Sequence, residues 1–200
     1  RYWLYYALQF MSGARRQIFV VFAAFMMVER YGFDVHQITA LIMVTLMANM
    51  ILAPLLGRVV SFFGERAALI VEYAGLAGIF LLYAGLYVYD WGPVTAGILY
   101  VLNNIFFALA LAIKTYFQKI ADPADIAPTA AVAFTINHIA AVFLPAALGY
   151  LWLTSPISVY LLAAGMAGIS LILSLFVPRH PEPGRETVFV PLAVRPTPAE

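Results

Sequence analysis

Six uninterrupted apolar stretches, each about as long as a bilayer is thick, constrain this chain more than any other feature. They cover residues 3–28, 37–56, 67–89, 93–116, 127–153 and 155–177. A helix rises about 1.5 Å per residue, so roughly 20 apolar residues cross about 30 Å of hydrocarbon. A transmembrane barrel would instead alternate in polarity over about ten residues per strand. These runs are continuous and too long for that. A helix satisfies every backbone group internally, which lipid requires. The expected class is therefore an all-α membrane protein with six transmembrane helices. Composition agrees. Of the 200 residues, 64 % are apolar and only 10 % charged, against about 25 % charged in a typical soluble domain. A soluble enzyme lacks the polar surface it would need, and a net charge of +1 offers no footprint for nucleic acid. The absence of cysteine excludes disulfides and thiolate metal sites. His36, His138 and His180 are too scattered in sequence to suggest a ligand set.

The breaks between stretches carry turn chemistry: 29–34, 57–66, 89–93, 122–125 and 154–156. Pro93 and Pro156 suit the first turn of a helix, where a missing N–H costs nothing. Beyond Val177 the character changes. Six of the chain's 12 prolines fall in 178–200, and this stretch reads as a disordered, proline-rich cytoplasmic tail. Arg1, Arg58, Arg66, Lys119, Arg179, Arg185 and Arg195 collect on one side, with Lys114 near them, and only Arg30 lies opposite. The richer side is expected to be cytoplasmic, with both termini inside. The expected location is a bacterial-type inner or plasma membrane. Trp91, Trp152, Tyr87, Tyr89 and Tyr150 fit an aromatic belt at the outer interface. The chain opens on Arg1 rather than Met, as a fragment or processed piece would.

The segment Gly57-Arg58-Val59-Val60-Ser61-Phe62-Phe63-Gly64-Glu65-Arg66, expected as a loop, resembles the G-x-x-x-D-x-x-G-R-K/R loop of the major facilitator superfamily. Gly57, Gly64 and Arg66 match, while Ser61 replaces the usual acid and Glu65 a base. Its place between the second and third of six stretches strengthens the resemblance. Residues 1–177 thus look like the C-terminal six-helix half of such a transporter. The resemblance implies a 3+3 inverted repeat and a missing N-terminal six-helix half as partner.

Ionisable groups within hydrocarbon cost several kcal/mol, so they usually face a bundle interior or a water-filled cavity. Gln9, Ser12 and Arg16 fall within about 60° of one another on an ideal helix. Arg16 is expected to be the most buried permanent charge, either lining a cavity and binding an anionic group or a coupling carboxylate, or making a structural ion pair or capping a broken helix. Arg15 sits at the edge of that face. In the fourth stretch Tyr100, Asn103, Phe107, Lys114 and Gln118 share a face; the resemblance implies that this helix also lines the cavity. Asn103 is placed to hydrogen-bond substrate or another helix, and Lys114 to snorkel. Asn137 and His138 lie near the centre of the fifth stretch. His138 is either a proton carrier or a neutral partner in an interhelical hydrogen bond. Glu72 is expected to pair structurally with Arg58 or Lys114. The last stretch, polar only through serines, is expected to face lipid.

The function that follows is half of a secondary transporter, moving a small, unidentified solute by alternating access, with a proton as coupling ion if there is one. The competing reading is a six-helix scaffold or channel subunit that self-associates. No enzymatic chemistry, cofactor, metal or nucleic-acid partner is expected.

Overall fold

The computed structural model describes residues 1–189. Those residues form an all-helical bundle without strands, with six helices long and apolar enough to cross a membrane. Span 1 is Trp3–Tyr31, span 2 Val35–Phe63, span 3 Glu65–Tyr89, span 4 Pro93–Ile120, span 5 Pro123–Thr154 and span 6 Pro156–Leu175. The chain is a multi-pass membrane protein. Connections of one to three residues force consecutive spans to run antiparallel.

Local chemistry sets the boundaries. Pro93, Pro123 and Pro156 each open a helix in its first turn. Asp34 and Gln37 form a reciprocal capping box at the start of span 2, with the Asp34 N–H donating to Gln37 Oε1 at 3.0 Å, so two otherwise unpaired donors are satisfied. The segment from Gly57 to Arg66 corrects the sequence expectation. It is not a loop: helix continues through Phe63, Gly64 alone breaks it at φ +83°, and helix resumes at Glu65. Gly57 has no proline or polar run beside it and simply continues the helix. At Gly64 the left-handed conformation, open to glycine without steric cost, reverses the chain.

Spans 3 and 6 make the most extensive helix contact of the bundle. Around their seam, two apolar clusters fill the interior. One centres on Phe22, Phe80, Tyr83, Trp152 and Tyr160; the other on Tyr5, Leu69, Tyr73, Tyr116 and Phe117. Span 6 is thus a packing helix as well as an outer one. Its Ser170 and Ser174 are fully buried, whereas Leu161, Ile169 and Ile172 are exposed. Spans 2 and 5 behave differently. They bury only 6 % and 17 % of their most apolar stretch, against 50 % for span 3. Met47, Met50, Phe134, Val142 and Phe143 accordingly stand exposed.

Polar locks mark the two ends. At the end carrying the N-terminus, Arg1 bridges Asp122 and, at 2.8 Å, Glu186. Lys119 meets the buried Glu65 at 2.7 Å, and Tyr2 donates to Asp125 at 2.8 Å. At the other end Trp152 donates to Glu29 at 2.9 Å, and Arg30 meets Asp90 at 3.5 Å. The stretch expected to be disordered divides in two. Residues 190–200 lie outside the described residues. Residues 178–189 instead pack on the bundle end: Tyr116 donates to the Glu186 carbonyl, Val188 N–H donates to the Phe176 carbonyl at 3.0 Å, and Phe189 lies against Phe176. The hydrogen bonds that Arg1 and Tyr116 make to Glu186 supply the partners that composition could not reveal.

Candidate functional site

Two polar places stand out within the spans, on different faces of span 1. The first is a cleft between spans 1, 2, 4 and 5. It holds two adjoining cavities, of about 300 Å³ and about 140 Å³, that share Arg16, Phe107 and Ala108 in their walls. Gln9, Ser12 and Gly13 of span 1, Lys114 of span 4 and Asn137 of span 5 line the larger one. Asn49 of span 2 and Tyr100 and Asn104 of span 4 line the smaller. Gln9, Ser12 and Arg16 therefore share one wall, as one face of a helix requires. Gly13 lets spans 1 and 5 approach closely, because a Cβ there would collide with the Asn137 amide.

Both helices that flank Arg16 leave ideal α geometry at this level. Span 1 passes through a π-helical turn at Phe19–Ala23. Span 4 breaks at Leu109 and Ala110, between Pro93–Ala108 and Leu111–Ile120. There, four amides bond three residues back rather than four: Leu109, Ala110, Ala112 and Ile113, at 2.9–3.1 Å. No proline or glycine occupies positions 105–114, so tertiary packing rather than local sequence holds the break. π-turns inside helices occur often at functional sites, and irregular backbone at membrane depth is tolerated where it is buried in protein or lines a cavity.

The second polar place is buried in the seam of spans 1, 3 and 6. Arg15 is fully buried; its guanidinium donates to Ser170 Oγ and, at 3.4 Å, to the Met166 carbonyl, and lies 4.6 Å from the Tyr73 ring centroid. Glu72, next in sequence to the Tyr73 that Arg15 overlies, is fully buried too, with neither carboxylate oxygen hydrogen-bonded. This reverses the expectation about the two arginines. Arg15 is the buried charge and Arg16 is exposed on the open cleft. Adjacent residues point about 100° apart, and Arg15 is the one that meets the hydroxyl, carbonyl and ring able to hold a guanidinium. Neither Arg58 nor Lys114 pairs with Glu72. Arg58 stands on the exposed face of span 2, and Lys114 faces the cleft.

The other expected residues separate. Asn137 lines the cleft, with its Oδ1 buried and unpartnered. His138, next to it, is exposed, its Nδ1 2.9 Å from the Phe134 carbonyl of its own helix. No hydrogen bond from it to another helix is present among the described residues. Asn103 is fully buried with both amide atoms unpartnered and lies outside both cavity walls. Asn104 faces the cleft in its place, donating to the Tyr100 carbonyl at 3.0 Å. Gln118 is exposed beyond the cleft. Asn49, which sequence reasoning did not single out, is visible in retrospect as the one amide in the apolar run 40–56. Gly57 lies within a helix, and Gly64 and Arg66 border a separate cavity of about 410 Å³ with Arg179 and His180.

A larger cavity of about 750 Å³ opens between residues 31–41 and the first turns of span 4. Apart from Tyr31, its wall is apolar or backbone but for Asp34 and Gln37, both engaged in the capping box. The cleft around Arg16 is therefore the better site. No protein-family model, curated protein or solved structure matches the chain.

Proposed function

We propose that this chain is a six-helix half of a secondary transporter of the major facilitator type, carrying a small solute across the membrane by alternating access. The observation that carries the reading is the cleft itself. Four spans converge on a polar pocket beside Arg16, and both flanking helices are irregular there. Transporters place solute sites near the bilayer midplane beside discontinuous helices. The largely exposed spans 2 and 5 add support, since another six-helix half would cover them. Arg1, Arg58, Arg66, Lys119, Arg179 and Arg185 argue for cytoplasmic ends. The same two exposed faces also favour a second reading, a homo-oligomeric scaffold or channel subunit.

The test is uptake of a panel of small labelled solutes into proteoliposomes, normalised to inserted protein. Arg16→Lys keeps the charge but loses the planar fork, so uptake of the transported solute falls strongly, and further in Arg16→Gln. Full activity in both variants would remove Arg16 from the solute path. Ionic currents at channel rates from a stable homo-oligomer would favour the second reading.

A further inference from the structure

We infer that the cleft beside Arg16 takes a small anionic solute, one that presents a carboxylate or phosphate oxyanion to Arg16 and Lys114 together. The inference deepens the transporter reading and rests on it for the identity of the cleft as the solute site. Arg16 and Lys114 enter the same cavity from spans 1 and 4. Neither that cavity nor its smaller neighbour has an Asp or Glu in its wall. Among the described residues, neither cation makes an ion pair.

The buried acid of span 3 does not change this. Glu72 is fully buried and lines neither cavity. Two like charges sharing one cavity wall with no counter-charge beside them carry an electrostatic cost. An oxyanion supplied from water offsets that cost, and a guanidinium binds its two oxygens as a fork. The remaining polar wall consists of groups able to donate hydrogen bonds: Gln9, Ser12 and Asn137. The 300 Å³ volume lies at the small end of the range for ligand sites. A compact mono- or dianion fits these features; a cation is repelled by both charges. The sequence alone left Arg16 facing either an anionic ligand or a coupling carboxylate. The walls as folded contain the first kind of site and no carboxylate.

The test measures binding separately from transport. The full chain in lipid nanodiscs is titrated at low ionic strength with succinate, inorganic phosphate, neutral succinamide and cationic putrescine, by calorimetry and thermal stability. Succinate or phosphate should bind, whereas succinamide and putrescine should not. Arg16→Gln and Lys114→Gln should each weaken anion binding by about tenfold or more. Arg16→Lys should fall between, and Gln118→Ala, outside the cleft, should match the unaltered chain. The Lys variant guards against a loss caused by misfolding alone. Failure of both anions to bind, binding of putrescine in their place, or unchanged anion affinity in both Gln variants would each overturn the inference. Anion binding without uptake would contradict the transporter reading and leave the anion site standing. Uptake of a neutral or cationic solute with no anion binding would do the reverse.

Discussion

Arg15 and Arg16 are adjacent in sequence yet serve different surfaces of span 1. The first ties spans 1, 3 and 6 together through Ser170, Met166 and Tyr73; the second opens into the cleft. A buried charge is tolerated when counter-charge and hydrogen bonds accompany it, and removing one partner is far worse than removing both. Arg15→Met should destabilise the bundle by about 1–3 kcal/mol through its lost bonds to Ser170 and Met166, Glu72→Gln, which breaks no hydrogen bond, should cost less, and the double variant should fall short of the sum of the two losses. Denaturant unfolding in mild detergent, analysed as a double-mutant cycle, checks this. Strict additivity of the two losses would show that Arg15 and Glu72 do not interact. Helical spacing placed Gln9, Ser12 and Arg16 on a common wall. It could not tell which of two neighbouring arginines finds partners, because those partners come from residues 73, 166 and 170, far along the chain. Asn103 and Asn104 pose the same difficulty.

At the scale of the element, six helices were legible because each apolar run is at least about as long as a bilayer needs. Their ends were not. Spans 2 and 5 extend beyond their apolar runs, to Val35–Phe63 and Pro123–Thr154; the Asp34–Gln37 capping box and the first-turn Pro123 start these helices in more polar sequence. The π-turn of span 1 and the break in span 4 left no local signal either, since packing imposes both. The approach of spans 1 and 5 at Gly13 gives a prediction at this scale. A Cβ there meets the movable end of Asn137, so Gly13→Ala should be tolerated with a shift of that amide. Gly13→Leu has no such escape and should cost about 1–3 kcal/mol by overpacking, measured by the same unfolding experiment. A neutral effect of Gly13→Leu would mean that the two helices do not touch there.

At the scale of the whole molecule, a bundle of membrane-spanning helices holds an open polar cleft at Arg16, with spans 3 and 6 packed together as the most extensive contact. Composition made the membrane legible. The cleft was only half legible, because its walls come from four spans whose mutual rotation no local pattern encodes. The chain's lack of cysteine permits a direct measurement: single cysteines at Ser12, Asn137 and Leu161, exposed in detergent-free membranes to a membrane-impermeant thiol reagent. Ser12→Cys and Asn137→Cys should react, since both line the cleft. Leu161→Cys, on the exposed apolar face of span 6, should stay unlabelled in lipid. Silence at both cleft positions, with labelling recovered only after denaturation, would contradict the account.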